Sequence, residues 1–452
     1  PPVSRLAGGT VVSPLSLIPL IGLLLLWFIP GLVAGRRLPR LSVPLLAFAL
    51  VAGLATALSP FYDLFPFRGD TVVKEGLEGV GTLAIGLGYY FVVSTYPRDD
   101  RALRQTLRWL YLGLVILLVW ATIQVVWITS GIGEVPTEWQ NIHRLFSIRD
   151  ASSSRATGLA YEPSWLADQL LMLYLPLLLA SVLRRETVLG IRVGGLTVEL
   201  VLLLWGVTIL YFTFSRIGLL AFLALVAALA AWFSSRVASR GQRKRRVADG
   251  RGGDGRGGLQ RTGAILLLAL LGFVVIAVLA VFLGSIYDRR LALVFQIDYL
   301  DLLRQQRHPI EFLLAARLGV AERVMYWAGG LGVFSRYPFL GVGLGNAGFL
   351  YPETVPYFGY YLPEIIRAVS PGMAGIPNVK SLWIRLLAET GVVGFLTFLV
   401  WLLLVGAAAL ETARGRRGIR GVIGLATLFA LLELVFEGFS LDTFALPQLW
   451  VV

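Results

Sequence analysis

The sequence has no cysteine and only two histidines, and these two shortages exclude several kinds of chemistry. Without cysteine there are no disulfides, no thiolate nucleophiles and no cysteine metal ligands. The histidines, His143 and His308, lie far apart in the chain. Because protein metal sites normally need several nitrogen or carboxylate ligands, we expect neither a metal site nor a metal cofactor.

Acidic residues are also scarce: 27 Asp and Glu stand against 40 Lys and Arg, a formal net charge of +13. In a soluble protein such a balance would indicate a nucleic-acid partner. Here 57% of the residues are hydrophobic and the mean hydropathy is +0.76, far above the values of soluble domains. We therefore expect a membrane protein in contact with lipid, and no nucleic-acid partner.

Apolar segments long enough to cross a bilayer, about 20 residues each, recur along the chain. They lie near residues 12–35, 41–59, 76–97, 107–130, 162–183, 195–214, 217–235, 263–286, 391–410 and 421–438, and another begins near 444. The pattern predicts an all-α polytopic membrane protein with about 11–12 transmembrane helices, the last of them continuing beyond the given sequence.

Basic residues occur in every second loop between these segments. They lie at 36–40, 98–108, 184–192, 236–261 and 414–420. Cytoplasmic loops carry the excess of Lys and Arg, so these loops are predicted to be cytoplasmic and the loops between them to face outward. The Gly- and Arg-rich linker 236–262 is predicted to be a flexible segment near anionic lipid.

This topology divides the chain into three parts. Residues 1–286 are predicted to form transmembrane helices with short loops, 287–390 a large outer loop, and 391–452 the C-terminal transmembrane helices. Within the outer loop, the pattern of residues 311–334 indicates an amphipathic helix that lies on the membrane surface. Residues 335–378 are rich in Pro, Gly and Tyr, which predicts irregular structure.

Arg216 is the only charged residue between Leu200 and Ser235. This stretch is too long for one crossing and fits two short ones, with Arg216 at the turn between them. An ionisable residue in such a position indicates function, although an arginine near a helix end can also extend its side chain to the headgroups. The turn is predicted to lie on the outer face, where few arginines are expected, and this favours function.

Other polar residues are predicted on the same outer face. Arg155 precedes Tyr161 and Glu162. The pair Glu162-Pro163 indicates a helix start, so Glu162 is either a functional carboxylate or a capping residue. Further along the chain are Arg323, Trp327, Arg336 and Lys380, which together with Tyr161 are the candidate substrate-binding residues. Arginine binds phosphate through a planar, permanently charged fork, and preplaced cations can stabilise a phosphate leaving group. A carboxylate can then act as general base toward a hydroxyl acceptor.

The chain resembles the O-antigen ligase and polysaccharide polymerase superfamily of bacterial inner-membrane proteins over roughly residues 75–440. The motifs that carry the resemblance are Arg155…Gly158-Leu-Ala-Tyr-Glu-Pro-Ser164, Thr213-Phe-Ser-Arg216, Arg323…Trp327…Pro338…Gly341-Val-Gly-Leu-Gly-Asn346 and Leu386-Leu-Ala-Glu-Thr-Gly-Val-Val-Gly394. By itself, Gly341-Val-Gly-Leu-Gly345 is not a dinucleotide site, because the glycine spacing differs, and it is predicted to be a tight turn.

The resemblance implies a metal-independent, inverting glycosyltransferase of the membrane GT-C type, acting on the periplasmic side of the inner membrane. Its donor would be an undecaprenyl-pyrophosphate-linked glycan, and its acceptor a lipid-linked glycan or lipid A–core. On this pattern Arg216, with Arg155 and Arg323, binds the donor pyrophosphate. From position and charge alone, Glu162 is the favoured base and Lys380 is a candidate for binding the acceptor's phosphate. Glu389 is a competing candidate for the base, although a structural role at a helix end is the simpler interpretation.

One departure from the family pattern favours one of its branches. Ligases of this superfamily carry His-Asn before the Leu-Leu-Ala-Glu-Thr-Gly run, whereas this chain has Lys380 and Ser381. The missing histidine favours a polymerase of O-antigen or exopolysaccharide repeat units over a ligase. A transporter of lipid-linked glycans is a third hypothesis, although no internal repeat of the kind found in transporters is visible.

Overall fold

The structure is a computed structural model, and it describes residues 16–96, 99–130, 135–146, 150–152, 154–193, 195–230, 278–279, 281–286, 289–297, 315–372 and 375–451. The protein is an all-α polytopic membrane protein, as predicted. Within these ranges the only strands are β1 (Arg192–Val193) and β2 (Leu196–Thr197), which pair as a short antiparallel hairpin. The predicted linker 236–262 and most of the predicted span 263–286 lie outside the described residues.

Fourteen helices are labelled here within the described residues. They are α1 (Leu17–Val33), α2 (Ser42–Leu58), α3 (Val72–Thr95), α4 (Asp100–Ser130), α5 (Thr137–Phe146), α6 (Pro163–Arg184), α7 (Val198–Phe212), α8 (Arg216–Ala230), α9 (Arg289–Gln296), α10 (Ala321–Arg336), α11 (Pro363–Val369), α12 (Leu382–Gly415), α13 (Gly418–Glu437) and α14 (Gln448–Val451).

Six of these helices are long and apolar enough to cross a membrane: α2, α3, α4, α6, α12 and α13. The apolar helices α1, α7 and α8 are shorter, at 10–17 residues. The prediction that residues 200–235 form two short segments with Arg216 between them is confirmed for the described part. Helix α7 ends at Phe212, and α8 begins at Arg216.

Two apolar clusters hold the bundle together. The first joins α4, α6, α7 and α13 through residues such as Leu114, Leu170 and Val422. The second joins α2, α3 and α12 to the segment after α13, with Phe48, Phe398 and Phe444 among its members. Helix α13 contributes to both clusters and packs against both α6 and α12, so it links the two halves of the bundle.

The loops predicted to lie on the cytoplasmic face contact one another at one end of the bundle, called the basic end below. Arg104 pairs with Glu186 at 2.5 Å, and Arg420 pairs with Asp100 at 2.6 Å. Arg184 donates to the carbonyl oxygen of Arg416 at 3.3 Å. Three loops that the charge alternation assigned to one face therefore meet in the structure.

The loops predicted to face outward meet at the opposite end, called the outer end below. Arg68, in the loop between α2 and α3, donates to the carbonyl oxygens of Ala368 (2.7 Å) and Ser370 (3.0 Å) at the end of α11, and to that of Gly375 (2.7 Å) further along the chain. A guanidinium that binds the last carbonyls of a helix satisfies groups that have no partner within the helix. This contact fastens the large outer loop to the transmembrane bundle.

Helix α12 is interrupted at Gly391, where the backbone adopts φ 64° and ψ −170°. The carbonyls of Ala388 and Glu389, which lose their helical partners there, accept from Val342 at 3.0 Å and Gly343 at 2.9 Å. Beyond the break, the N–H groups of Val392 and Val393 donate to the carbonyls of residues 338 and 339. Irregular backbone near a membrane requires such replacement partners.

The glycine run 341–345 supplies those partners and forms the predicted tight turn. Gly341, Gly343 and Gly345 all have positive φ, between 67° and 86°. A Cβ on Gly341 would lie 2.4 Å from the carbonyl carbon of Glu389, so no side chain fits between the turn and α12. The predicted start of a span at residue 391 coincides with this break.

The amphipathic helix predicted over residues 311–334 corresponds, in the described residues, to α10, which begins at Ala321 and buries Met325, Tyr326 and Val333 against α12 and its neighbours. Its inward face also carries Gly329 and Gly330, which a pattern of large apolar residues does not include. The expectation of irregular structure over residues 335–378 was wrong, because they contain α11 and several short helical turns.

Candidate active site

Arg216 begins α8 directly after a tight turn of Thr213, Phe214 and Ser215. Phe214 adopts a positive φ of 45°, and the Thr213 hydroxyl accepts from the N–H of Ser215 at 3.2 Å. The guanidinium of Arg216 donates to the carbonyls of Leu318 and, at 2.9 Å, of Gly319. These carbonyls lie just before α10, so Arg216 connects the α7–α8 turn to the large outer loop.

Arg155 lies on the other side of the same turn. Its Nε donates to the carbonyl of Thr213 at 2.9 Å, and its Nη2 to that of Phe214 at 3.4 Å. The structure thus brings Arg155 and Arg216, 61 positions apart, to one three-residue turn. Both arginines lie at the outer end.

Gln124 of α4, which sequence reasoning missed, holds the segment that follows Arg155. Its buried amide oxygen accepts from the N–H groups of Thr157 at 3.0 Å and Gly158 at 2.8 Å. Its amide nitrogen donates to the Thr157 hydroxyl at 3.2 Å. A single amide in an otherwise apolar span was the available signal, because a buried polar group needs partners.

Arg323, Trp327 and Lys380 form a second group around the end of α13. Arg323 donates to the carbonyl of Phe439 at 3.2 Å, and the ring of Trp327 packs against that of Phe439 with centroids 5.5 Å apart. The indole N–H of Trp327 donates to the carbonyl of Lys380 at 3.4 Å. Helix α10 therefore contacts the turn that follows α13, and Trp327 of α10 also contacts the residue just before α12.

Lys380 occupies the position where the family pattern has histidine. It adopts a positive φ of 58° immediately before α12. Its ammonium lies 3.8 Å from a carboxylate oxygen of Asp442, which also accepts from the side-chain amide of Asn378 at 3.0 Å. The side chain of Lys380 is 40% exposed, so a ligand at the outer end can reach it.

Glu162 precedes α6, as the sequence predicted, but its side chain makes no capping bond to the helix. The Ser164 hydroxyl donates to a Glu162 carboxylate oxygen at 3.4 Å. Both Glu162 and the neighbouring Tyr161 are half-buried, and the Tyr161 ring packs against Trp165 at 5.4 Å. The position is compatible with contact to a ligand at the outer end.

Arg336 lies apart from this group. It is the last residue of α10, about 20 Å from Arg323 at the helical rise of about 1.5 Å per residue. Its side chain is 44% exposed and pairs with Glu353 at 2.5 Å. The structure therefore does not bring Arg336 together with Arg323, Trp327 and Lys380.

Glu389, the competing base, is buried in an ion pair with Arg385 at 2.8 Å. Arg385 also donates to the carbonyl of Asp442 and lies over the ring of Phe444. A carboxylate enclosed by its own counter-ion beside the Gly391 break stabilises that break. These contacts support a structural role for Glu389.

The outer loop also contains buried phenols outside the membrane-spanning helices. Burial raises the pKa of Tyr326, and the nearby carboxylate of Glu364 raises it further. Burial likewise raises the pKa of Tyr351 well above its usual value, so it remains a donor to the carbonyl of Tyr326 at 3.0 Å. In the described ranges, no three His, Asp or Glu side chains are grouped so that they could hold a metal ion.

The fold and the outer-end residues define a polytopic membrane protein with arginines from three parts of the chain gathered at one end. Residues 201–399 match a family model described as O-antigen ligase. The match confirms the predicted resemblance to the O-antigen ligase and polysaccharide polymerase superfamily, and it supports a membrane enzyme of that type. The matched region contains Arg216, Arg323, Trp327 and Lys380, whereas Arg155 and Glu162 precede it. No curated protein matches the chain.

Proposed function

We propose that the protein is a metal-independent, inverting membrane glycosyltransferase that polymerises undecaprenyl-pyrophosphate-linked oligosaccharide repeat units on the periplasmic face of the inner membrane. The observation that carries this proposal is the meeting of Arg155 and Arg216 at one turn, with Arg216 connected to the segment before Arg323. Arginine forks suit the oxygens of a pyrophosphate. Their location at the end of the bundle opposite the basic loops supports the periplasmic assignment.

In the proposed reaction an acceptor hydroxyl attacks the anomeric carbon of the donor sugar. The new carbon–oxygen bond forms as the bond to the pyrophosphate breaks, and the pyrophosphate leaves with both electrons of that bond. Arg216, Arg155 and Arg323 stabilise the negative charge that develops on this leaving group. Glu162 accepts the proton of the hydroxyl, since it is a carboxylate at the same end of the bundle with no capping role.

Lys380 is proposed to bind the phosphate of a lipid-linked acceptor. Its ammonium is exposed enough for a ligand, and Asp442 and the Trp327 contact at its carbonyl fix its position. A lysine can bind phosphate as a point charge, although it cannot replace histidine as a neutral hydrogen-bond acceptor while it is protonated. This difference supports a lipid-linked acceptor and hence a polymerase.

A ligase is the second candidate function, and the description of the matching family favours it. In that case the acceptor is lipid A–core and another residue replaces the histidine. The two functions share the donor and the arginine site, so only the acceptor distinguishes them.

The test uses purified protein with an undecaprenyl-pyrophosphate-linked repeat unit in a metal-free buffer. A ladder of longer lipid-linked products that disappears in Arg216→Ala is expected for the polymerase. Transfer only after lipid A–core is added would identify the ligase. If neither acceptor gives product but the glycolipid crosses vesicle membranes, a transporter replaces both candidates.

A further inference from the structure

A cavity of about 330 Å³ lies between α3, α12 and α13 and extends from the basic end toward the middle of the bundle. Its lining residues run from Trp401 to Thr412 on α12 and from Ile423 to Leu434 on α13. At the helical rise of about 1.5 Å per residue, each of these stretches covers about 16 Å. One leaflet has a hydrocarbon depth of about 15 Å, half of the bilayer core. The cavity is therefore about as long as the hydrocarbon part of a single leaflet.

The walls of this cavity are mostly apolar, and several of their side chains are small. Ala408 of α12 and Ala430 of α13 line it where larger side chains would fill the space. The hydroxyl of Thr427, another lining residue, donates to a carbonyl of its own helix at 3.0 Å. At the deep end, the rings of Trp401 and Trp450 pack with centroids 5.7 Å apart. Walls of this kind suit a hydrocarbon chain better than a polar ligand.

At the basic end, two segments that carry arginines line the cavity. Pro39 and Leu41 lie on either side of Arg40, and Thr412 is four residues before Arg416. Both arginines are exposed. Because Pro39, Leu41 and Thr412 line the same cavity, the loop before α2 meets the end of α12 at its opening.

Positive charge predominates in these two segments. Arg37 and Arg417 are exposed as well, and Glu411 is the single acidic residue within 36–41 and 408–417. Arginine binds phosphate through its planar fork. The cytoplasmic leaflet, which the basic end faces on the predicted orientation, is the one that carries anionic lipid. The opening is therefore complementary in charge to the headgroup of such a lipid.

We propose that this cavity binds one acyl chain of an anionic phospholipid of the cytoplasmic leaflet, with the lipid phosphate between Arg40 and Arg416. The cavity length fits one leaflet, its walls fit a hydrocarbon chain, and the arginines fit an anionic headgroup. The cavity opens at the end of the bundle opposite Arg216, so its ligand is independent of the function proposed above. A polyprenyl phosphate shares this chemistry of anionic head and hydrocarbon tail, and the test distinguishes the two lipids.

The first test measures phosphatidylglycerol bound to the purified full chain by native mass spectrometry in detergent. The unchanged protein should retain one phosphatidylglycerol, more tightly than phosphatidylcholine. Arg40→Gln with Arg416→Gln should weaken this binding at least about tenfold, because two charges near the phosphate are lost. Arg101→Gln with Arg185→Gln is the matched control. It removes two exposed charges from the same end, outside the cavity lining, and should keep the affinity within about twofold.

The second test fills the cavity. Ala408→Phe places a ring in it and should abolish the retention of the lipid. Ala407→Phe is the matched control, because Ala407 is exposed on the same helix and does not line the cavity. Thermal melting without lipid checks that both variants fold. Added phosphatidylglycerol should raise the melting temperature of the unchanged protein and of Ala407→Phe but not of Ala408→Phe, since a ligand stabilises only the protein that binds it.

Three results would overturn the proposed lipid site. If folded Ala408→Phe retains the lipid as tightly as the unchanged protein, the lipid binds elsewhere. If the two double arginine variants lose affinity equally, the attraction belongs to the whole basic end rather than to this opening. If undecaprenyl phosphate displaces phosphatidylglycerol at equal concentration, the cavity belongs to a polyprenyl lipid instead. None of these measurements depends on glycosyl transfer, so the proposed function stands or falls separately.

Discussion

At the scale of single residues, the site depends on the chemistry of arginine rather than on charge alone. Arg155 and Arg216 each donate hydrogen bonds to backbone carbonyls, so their guanidinium planes have defined orientations. A lysine at either position retains the positive charge but loses the planar fork. Substitutions between these two residue types therefore separate geometry from charge.

We expect Arg216→Ala to lower kcat/KM by at least about a hundredfold, and Arg216→Lys by about tenfold, because removal of one stabilising donor costs about 3–4 kcal/mol in comparable sites. The measurement is the initial rate of lipid-linked product formation. Arg144→Ala is the matched control: this outer-end arginine is 54% exposed and pairs with Asp150. Equal losses in Arg144→Ala and Arg216→Ala would contradict the prediction.

Arg336 gives a second prediction at this scale. The sequence included it among the substrate-binding residues, but the structure pairs it with Glu353 at the far end of α10. Arg336→Ala should therefore keep activity within about twofold, since an exposed ion pair contributes at most about 1 kcal/mol to stability. A KM for the donor that rises tenfold would show that Arg336 does contact the substrate.

At the scale of elements, the break in α12 is the feature that shapes the site. The backbone near Gly391 and the turn 341–345 exchange hydrogen bonds that a continuous helix would make internally. The first part of α12, between Lys380 and the break, contains the buried Arg385–Glu389 pair. The geometry of the break therefore determines where the start of α12 is held.

Gly391→Ala should destabilise the protein by roughly 2 kcal/mol or more, because a residue with a Cβ is strained at positive φ. The new Cβ would also lie 2.2 Å from the carbonyl oxygen of residue 339. Thermal melting in detergent measures the effect. Gly415→Ala is the control in the same helix, where the added methyl group meets nothing within 4 Å. Unchanged melting of Gly391→Ala would argue against the break.

The loop between α4 and α6 gives a related prediction. Gln124→Leu leaves the N–H groups of Thr157 and Gly158 buried without their acceptor, at a cost of about 1–3 kcal/mol for each unsatisfied group. We expect lower thermal stability and, because Arg155 begins this segment, a loss of activity as well. Gln124→Glu keeps the acceptor oxygens and should be the milder substitution in the activity assay. Equal effects of the two variants would contradict this account.

At the scale of the whole molecule, arginines join distant loops at both ends of the bundle. At the basic end Arg104 pairs with Glu186, and Arg184 donates to the carbonyl of Arg416. At the outer end Arg68 donates to the carbonyl of Ala368, at the end of α11. Burial lowers the pKa of Arg68, but a guanidinium remains protonated at neutral pH.

The absence of native cysteine makes this topology directly testable. Single cysteines at Tyr357 and Tyr361, which are 73% and 71% exposed at the outer end, should react with a membrane-impermeant thiol reagent in intact cells. Cysteines at Arg185 and Arg417, at the basic end, should react only after the membrane is opened. Labelling of both pairs in intact cells would refute the predicted orientation.

The sequence by itself determined the class of the molecule and most of its membrane segments. The length of an apolar segment decides whether it can span lipid, the charge of a loop decides which side it faces, and both are local properties of the sequence. It also determined that Arg216 lies at a turn between two short helices. It did not determine the inward face of α10, where Gly329 and Gly330 pack against neighbouring elements together with Met325, Tyr326 and Val333.

Only the tertiary structure decided which polar residues meet. Arg155 reaches the turn before Arg216, while Arg336 stays about 20 Å along α10 from Arg323, a separation that helical geometry alone requires. Such contacts depend on how distant helices pack, and no local pattern in one sequence specifies that packing.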